Sequence, residues 1–274
     1  CFSWWDFCRN RSAKKKMLAI FKKGVVEVPE ELKSNAVPGD RGRRPHLLHQ
    51  TLPAFLSSHH SADAFSVRIG DEALLAFAPP HNPIFIHHRL FGCVDDVYCI
   101  FLGGLNNLWA LLKQYGLPRK TNEAMFVIEA YRVLRDRGPF PAHQAVKDMD
   151  GSFGFVVYDA GAATVFAALG SEEGVRLFWG VGEDGSVVIS DSVDTIKARC
   201  AKSYAPFPAG CMFHSEGGLV SVEHPGKKMM ALPRTDSEGV LCGANFKVDA
   251  RARIGAAMPR VGSDANWPVW GPPV

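Results

Sequence analysis

The sequence has no long apolar run, no close cysteine pair and no dominant charge, and each absence removes a class of function. None of its apolar stretches reaches the roughly 18 residues needed to cross a bilayer as a helix, so no membrane span is expected. Net charge is only +3 at pH 7 over 274 residues. The basic residues are not massed as they are in a nucleic-acid binder, so that partner is not expected either. Seven cysteines stand at 1, 8, 93, 99, 200, 211 and 242 without a CxxC pair. An odd, scattered set reads as reduced thiols, which places the chain in the cytoplasm, with the nucleus as the alternative.

Cofactor signals are missing as well. "GVGEDGS", residues 180–186, does not stand between a strand and a helix, as a dinucleotide-binding turn must. The spacing of His87, His88, Cys93 and Cys99 matches no common zinc site. Neither cofactor nor metal is expected.

What the chain does have is organisation. Residues 1–16, "CFSWWDFCRNRSAKKK", put aromatics before a basic cluster, the reverse of a signal peptide. They read as a non-native or disordered leader. One domain is expected over 17–249, and 250–274, ending in "NWPVWGPPV", reads as an extended tail.

Inside the domain, "MLAIF" predicts a strand at 17–22, with a further one at 24–28. "LLHQTLPAFLSSHH" reads as a short helix broken by Pro53. Short strands follow in "FSVRIG", "ALLAFAP" and the segment from Pro83 to Gly104. Asp95-Asp96 suits a turn better than a paired-carboxylate site, because neighbours on a strand face opposite ways. "NNLWALLKQYG" is a helix with Asn106 or Asn107 as N-cap and Gly116 just past its end. "TNEAMFVIEAYRVLRDRGP" is a second, with Phe126, Val127, Ala130, Val133 and Leu134 on one face. Arg135 and Arg137 fall in its last turn, where positive charge suits the helix dipole.

The pattern then turns to period two. "SFGFVVYD", "TVFAALG", "VRLFWGVG" and "SVVISDS" read as strands of an antiparallel meander. "DTIKARC" adds a turn or two of helix, and "FPAGCMFHSEGGLVSVEHP" a hairpin tipped by Gly217-Gly218. Strands, helices and strands again predict a layered α+β domain.

In that order, "HHRLFGCVDD", "FLGGLNNLWALLKQYG", "DMDGSFGFVVYDA", "GVGEDGSVVISDSVDTIKARC" and "FPAGCMF" resemble the blocks of the class-II glutamine amidotransferase domain. The resemblance is closer to a plant branch, the aluminium-induced or stem-specific proteins, whose name-giving motifs match "YGL" at 115–117 and "LRDR" at 134–137. It implies the N-terminal-nucleophile hydrolase fold, an αββα sandwich of antiparallel sheets.

In active relatives the residue after the first Met is Cys, whose thiol attacks glutamine's amide while its own amino group takes the proton. Leu18 holds that position here, and Ala19 replaces the glycine that follows. The resemblance places glutamine's carboxylate at Arg89 and the oxyanion site at Gly103, beside Gly104. Leu102 replaces the Asn donor of that site. The acid for glutamine's amino group falls near Ala124, leaving Asn122 or Glu123 as substitutes. The expected function is therefore a degenerate amidotransferase-like protein. It would act by binding a small amino acid or carboxylate, or a protein, in a plant response to aluminium or auxin; a homodimer is compatible with its helical faces. The alternative is an amidohydrolase with a relocated thiol, Cys93 or Cys99, or with an amide substrate other than glutamine.

Overall fold

The computed structural model describes residues 16–32, 48–57, 64–78, 89–137, 142–235, 239 and 241–253. Two six-stranded antiparallel sheets stack face to face. The first has the order β10-β8-β9-β1-β3-β2, built from β1 (Lys16–Phe21), β2 (Phe65–Ile69), β3 (Ala73–Ala78), β8 (Phe178–Val181), β9 (Val187–Ser190) and β10 (Tyr204–Pro206). The second has the order β12-β11-β7-β6-β5-β4. It comprises β4 (Arg89–Val94), β5 (Val97–Gly103), β6 (Phe153–Asp159), β7 (Thr164–Leu169), β11 (Cys211–His214) and β12 (Gly218–Ser221).

Helices cover both outer faces. Helices α1 (Leu48–Ser57) and α5 (Val193–Cys200) lie on the first sheet, and α2 (Leu108–Gln114), α3 (Glu123–Arg137) and α4 (Ala142–Lys147) on the second. The expected αββα sandwich of antiparallel sheets is the observed architecture.

Alternation builds these layers. On β1, Met17, Ala19 and Phe21 enter the core between the sheets, while Leu18 and Ile20 enter the layer under α1 and α5. On β5, Ile100 and Leu102 face the other sheet, and Cys99 and Phe101 face α3. A strand covered on both faces needs apolar residues at every position, which is why the period-two signal of the central strands is blurred. Burying each large side chain contributes about 1.5–3 kcal/mol.

Four readings of the sequence are corrected. No strand follows at 24–28; Lys23 and Val26 form an isolated bridge, and a 3-10 turn occupies Glu30–Leu32. Pro53 does not break α1, which runs through it. Its cost is one backbone hydrogen bond, offset by Phe55, Leu52 and Leu56 packing on the sheet.

The predicted four-strand meander is two hairpins in different sheets: β6 pairs with β7, β8 with β9, and the chain changes sheets at 170–177. Hairpin turns fix neighbours only locally; a loop of this length leaves the partner to be chosen by the core. The chain after β12 forms an unforeseen ribbon, β13 (Lys227–Thr235) with β14 (Leu241–Arg253). The strand continues four residues beyond Asp249, where the sequence places the start of the tail. The ribbon lays Phe246 against Trp179 and Ala244 in the inter-sheet core. It touches the edge strands β10 and β12 and so closes one side of the sandwich.

Candidate functional site

Leu18, at the expected nucleophile position, is 0% exposed. Its side chain faces the layer beneath α1 and α5, away from the space between the sheets. Just before it, Met17's backbone N–H donates to Asp191 Oδ1 at 2.8 Å, and its carbonyl accepts from Ser190 Oγ at 2.6 Å. Ser190, the last residue of β9, and Asp191 after it therefore grip the start of β1 by its backbone. Sequence reasoning assigned them no role, since nothing in a linear reading brings residue 191 to residue 17.

Three of the other candidates, Arg89, Gly103 and Gly104, lie at one end of the second sheet. Arg89 opens β4 and pairs in register with Leu102, so it shares that end with Gly103 and Gly104; its side chain is outside the described residues. Leu102 is 1% exposed and belongs to the core between the sheets. Gly103 lies at φ 92°, and a Cβ there would collide with the Ser152 carbonyl. That carbonyl instead accepts the Gly104 N–H at 3.0 Å. Gly151, at φ 133°, makes the reciprocal approach, where a Cβ would stand 2.5 Å from the Gly104 oxygen. Two loops thus touch backbone to backbone, a contact only glycine permits. Within this crowding Ser152 Oγ is enclosed and has no hydrogen-bond partner among the described residues.

Asn122 and Glu123 begin α3. Asn122 Oδ1 accepts the Met125 N–H at 2.9 Å, so the side chain is engaged as an N-cap. Ala124 and Met125 lie over Gly92, which brings the start of α3 across β4, three residues from Arg89. Arg89, Gly103 and Gly104 therefore share one end of the second sheet, Asn122 and Glu123 begin the helix that crosses β4 at Gly92, and Leu18 stands on the far layer of the other sheet.

The two short motifs are structural devices. In Tyr115-Gly116-Leu117, the Leu117 N–H reaches the Leu112 carbonyl at 2.8 Å and Gly116, at φ 68°, reaches Lys113 at 3.3 Å. This is a Schellman cap of α2, with Tyr115 edge-on to Phe126.

In Leu134–Arg137, Arg135 pairs with Asp159 at 3.0 Å and with Asp136 at 2.7 Å. Asp159, 1% exposed, also accepts from Tyr131 Oη and from the Gly161 and Ala162 N–H groups. Burial opposes its ionisation, but these donors and the guanidinium prevail and hold its carboxyl below the usual range. The sequence assigned Arg135 to the helix dipole and missed its partner 24 residues away. The expected turn at Asp95-Asp96 is present, both residues at positive φ, with Arg132 on Asp95 at 3.1 Å.

The thiols are poorly placed for attack. Cys99 is buried in the core of β5, which pushes its pKa far up. Cys93 is exposed, yet partial burial and then Asp96 and Asp95 raise it, against a lowering hydrogen bond from Tyr98. Raised thiols are weak nucleophiles at neutral pH. Among the described residues no helix is long and apolar enough to cross a membrane.

Comparison with known proteins adds relatives to this geometry. The profile of a family described as "Aluminium induced protein" matches residues 18–248. The stem-specific protein TSJT1 of Nicotiana tabacum is 35% identical over 153 residues, covering 56% of this chain and 99% of its own length. Among solved structures, the fold is similar to glutamine phosphoribosylpyrophosphate amidotransferase from B. subtilis. That match has a TM-score of 0.46 and 10% identity, over 74% of this chain and 48% of that one. It is also similar to a glutamine aminotransferase class-II domain protein from Silicibacter pomeroyi, with a TM-score of 0.40 and 11% identity, over 75% of this chain and 97% of that one. The chain thus spans about half the length of the B. subtilis enzyme.

Proposed function

Because the chain belongs to the aluminium-induced protein family, we propose that it is a catalytically degenerate relative of the glutamine amidotransferases that acts by binding, in a plant response to aluminium or auxin. The observation that carries this reading is Leu18, a side chain without a nucleophilic atom, sealed on the helix side of β1. Two further features support it. Leu102, where an oxyanion donor would stand, packs in the apolar core, and Asn122 is occupied as a helix cap. The end of the second sheet that holds Arg89, Gly103 and Gly104 is the binding region, and a small amino acid or carboxylate is its ligand. The second reading, hydrolysis by a relocated thiol, is disfavoured by the burial of Cys99 and the raised pKa of Cys93.

Titration calorimetry with L-glutamate and L-glutamine, on the full chain and on Arg89→Ala, tests the binding region. Binding that is lost in the variant is the expected result; equal binding by both proteins removes Arg89 from the site. Ammonia release from glutamine at an enzymatic rate, abolished by Cys93→Ala or Cys99→Ala, would establish the second reading instead.

A further inference from the structure

A groove of about 600 Å³ opens on the outer face of the second sheet, between the last turn of α3, the start of α4 and strands β7, β11 and β12. It lies at the end of α3 opposite Asn122 and is separate from the region around Arg89. Its volume suits a small organic ligand. The floor is apolar, formed by Leu134, Phe166, Met212 and Val220, with Ala142 on the α4 side.

The polar groups around this floor are few, and their hydrogen bonds define what remains on offer. Asp159, behind Tyr131, already accepts four hydrogen bonds and needs nothing from a ligand. Tyr131 donates its hydroxyl hydrogen to that carboxylate. Arg135 uses three of its five N–H groups, one on Asp159 and two on Asp136, so two donors remain while two carboxylates offset its charge.

His214 packs on Phe166, and its Nδ1 accepts the Glu216 N–H at 3.2 Å, which leaves the ring proton on Nε2 as a further donor. Burial favours the neutral imidazole over the weaker opposing pull of Glu216. The lining therefore offers N–H donors without uncompensated positive charge. A carboxylate there would face Asp159, Asp136 and Glu216, with Arg135 as the opposing cation. An ammonium group could pair with Glu216, but it would face the Arg135 guanidinium and leave the free N–H donors of Arg135 and His214 without an acceptor.

We propose that this groove binds an uncharged, largely apolar molecule carrying a hydrogen-bond acceptor such as a carbonyl or amide oxygen. Three compounds of one skeleton test the charge requirement by titration calorimetry on the full chain: 4-phenylbutanamide, 4-phenylbutanoate and 4-phenylbutylamine. The amide is expected to bind about tenfold more tightly than either ion.

Ala142→Trp, which fills the groove from its α4 side, should abolish amide binding, and Val220→Trp should do the same from the opposite wall. His214→Phe keeps the ring on Phe166 but removes the donor, and should weaken the amide about fivefold, the worth of one neutral hydrogen bond. Failure of the amide to bind overturns the proposal, as does an ion that binds equally well. Unchanged binding in whichever tryptophan variant retains the parent far-UV spectrum overturns it too. None of these outcomes bears on Arg89, so the two sites are tested independently.

Discussion

The two ends of the second sheet are held by opposite means. At the end where β6 finishes, charges do the holding: Arg135 ties the last turn of α3 to Asp159, and Arg132 ties the same helix to the Asp95 turn. At the other end, around Gly103 and Ser152, the described residues show no charged lock; the neutral Asn107 side chain donates to the Asp148 carbonyl at 2.7 Å and accepts the Asp150 N–H at 3.1 Å. Loops there meet through their backbones, by Gly104 N–H on Ser152 at 3.0 Å, Asn106 on Asp150 at 2.8 Å and Gly170 on Phe153 at 2.8 Å. Side-chain locks can be tuned by pH and by one substitution. Backbone contacts of this kind respond to the size of a single methyl group. The difference teaches that the binding region proposed above is built on shape, whereas the groove at the far end is built beside a charge network.

Asp159→Ala should break the charged end most severely. It removes the acceptor of Tyr131, Arg135 and the Gly161 and Ala162 N–H groups, and loss of these hydrogen bonds is expected to cost about 3–4 kcal/mol, read by urea denaturation. Gly103→Ala should break the other end by about 2–3 kcal/mol, combining a positive φ with the collision at Ser152.

Gly116→Ala, at φ 68° with open space around it, isolates backbone strain and should cost about 1 kcal/mol; a drop as large as that of Gly103→Ala would show that crowding adds nothing there. The smallest effect is the sharpest on mechanism. Asp159 titrates below its ordinary value of 3.8, so its ionised form adds stability above that pH and loses it as pH falls through the lowered pKa. Below about pH 3.8 the parent should lose stability faster than Asp159→Asn; parallel acid limbs would remove this carboxylate from the acid response.

Much of this was legible in the sequence, for identifiable reasons. The Gly116 stop and the Asp95-Asp96 turn are local, and local chemistry writes itself into adjacent residues. The two-layered sandwich followed from the order of blocks. The sheet change after β7 was not legible, because each of the strands involved is apolar on both faces and pairs well with several neighbours.

Helix α4, only six residues long, carries too few turns to show a period. The β13–β14 ribbon was hidden by Pro233 within β13, a residue that argues against a strand unless it lies where no ladder bond is needed. Arg89, Gly103 and Gly104, which the sequence proposes as a site, share one end of the sheet. The Ser190-Asp191 grip on Met17 depends on a separation of over 170 residues, which no spacing rule reaches.

That separation has a consequence in time. β1 lies between β3 and β9, so during synthesis it lacks one of its two neighbours until residue 190 has been added. At about 5–20 residues per second, that wait is roughly 10–35 seconds. Throughout it, the apolar face carrying Leu18 and Ile20 lacks Val188 and Ile196. A newly made chain therefore passes through an aggregation-prone interval set by its topology, and chaperone dependence during synthesis should track the arrival of β9.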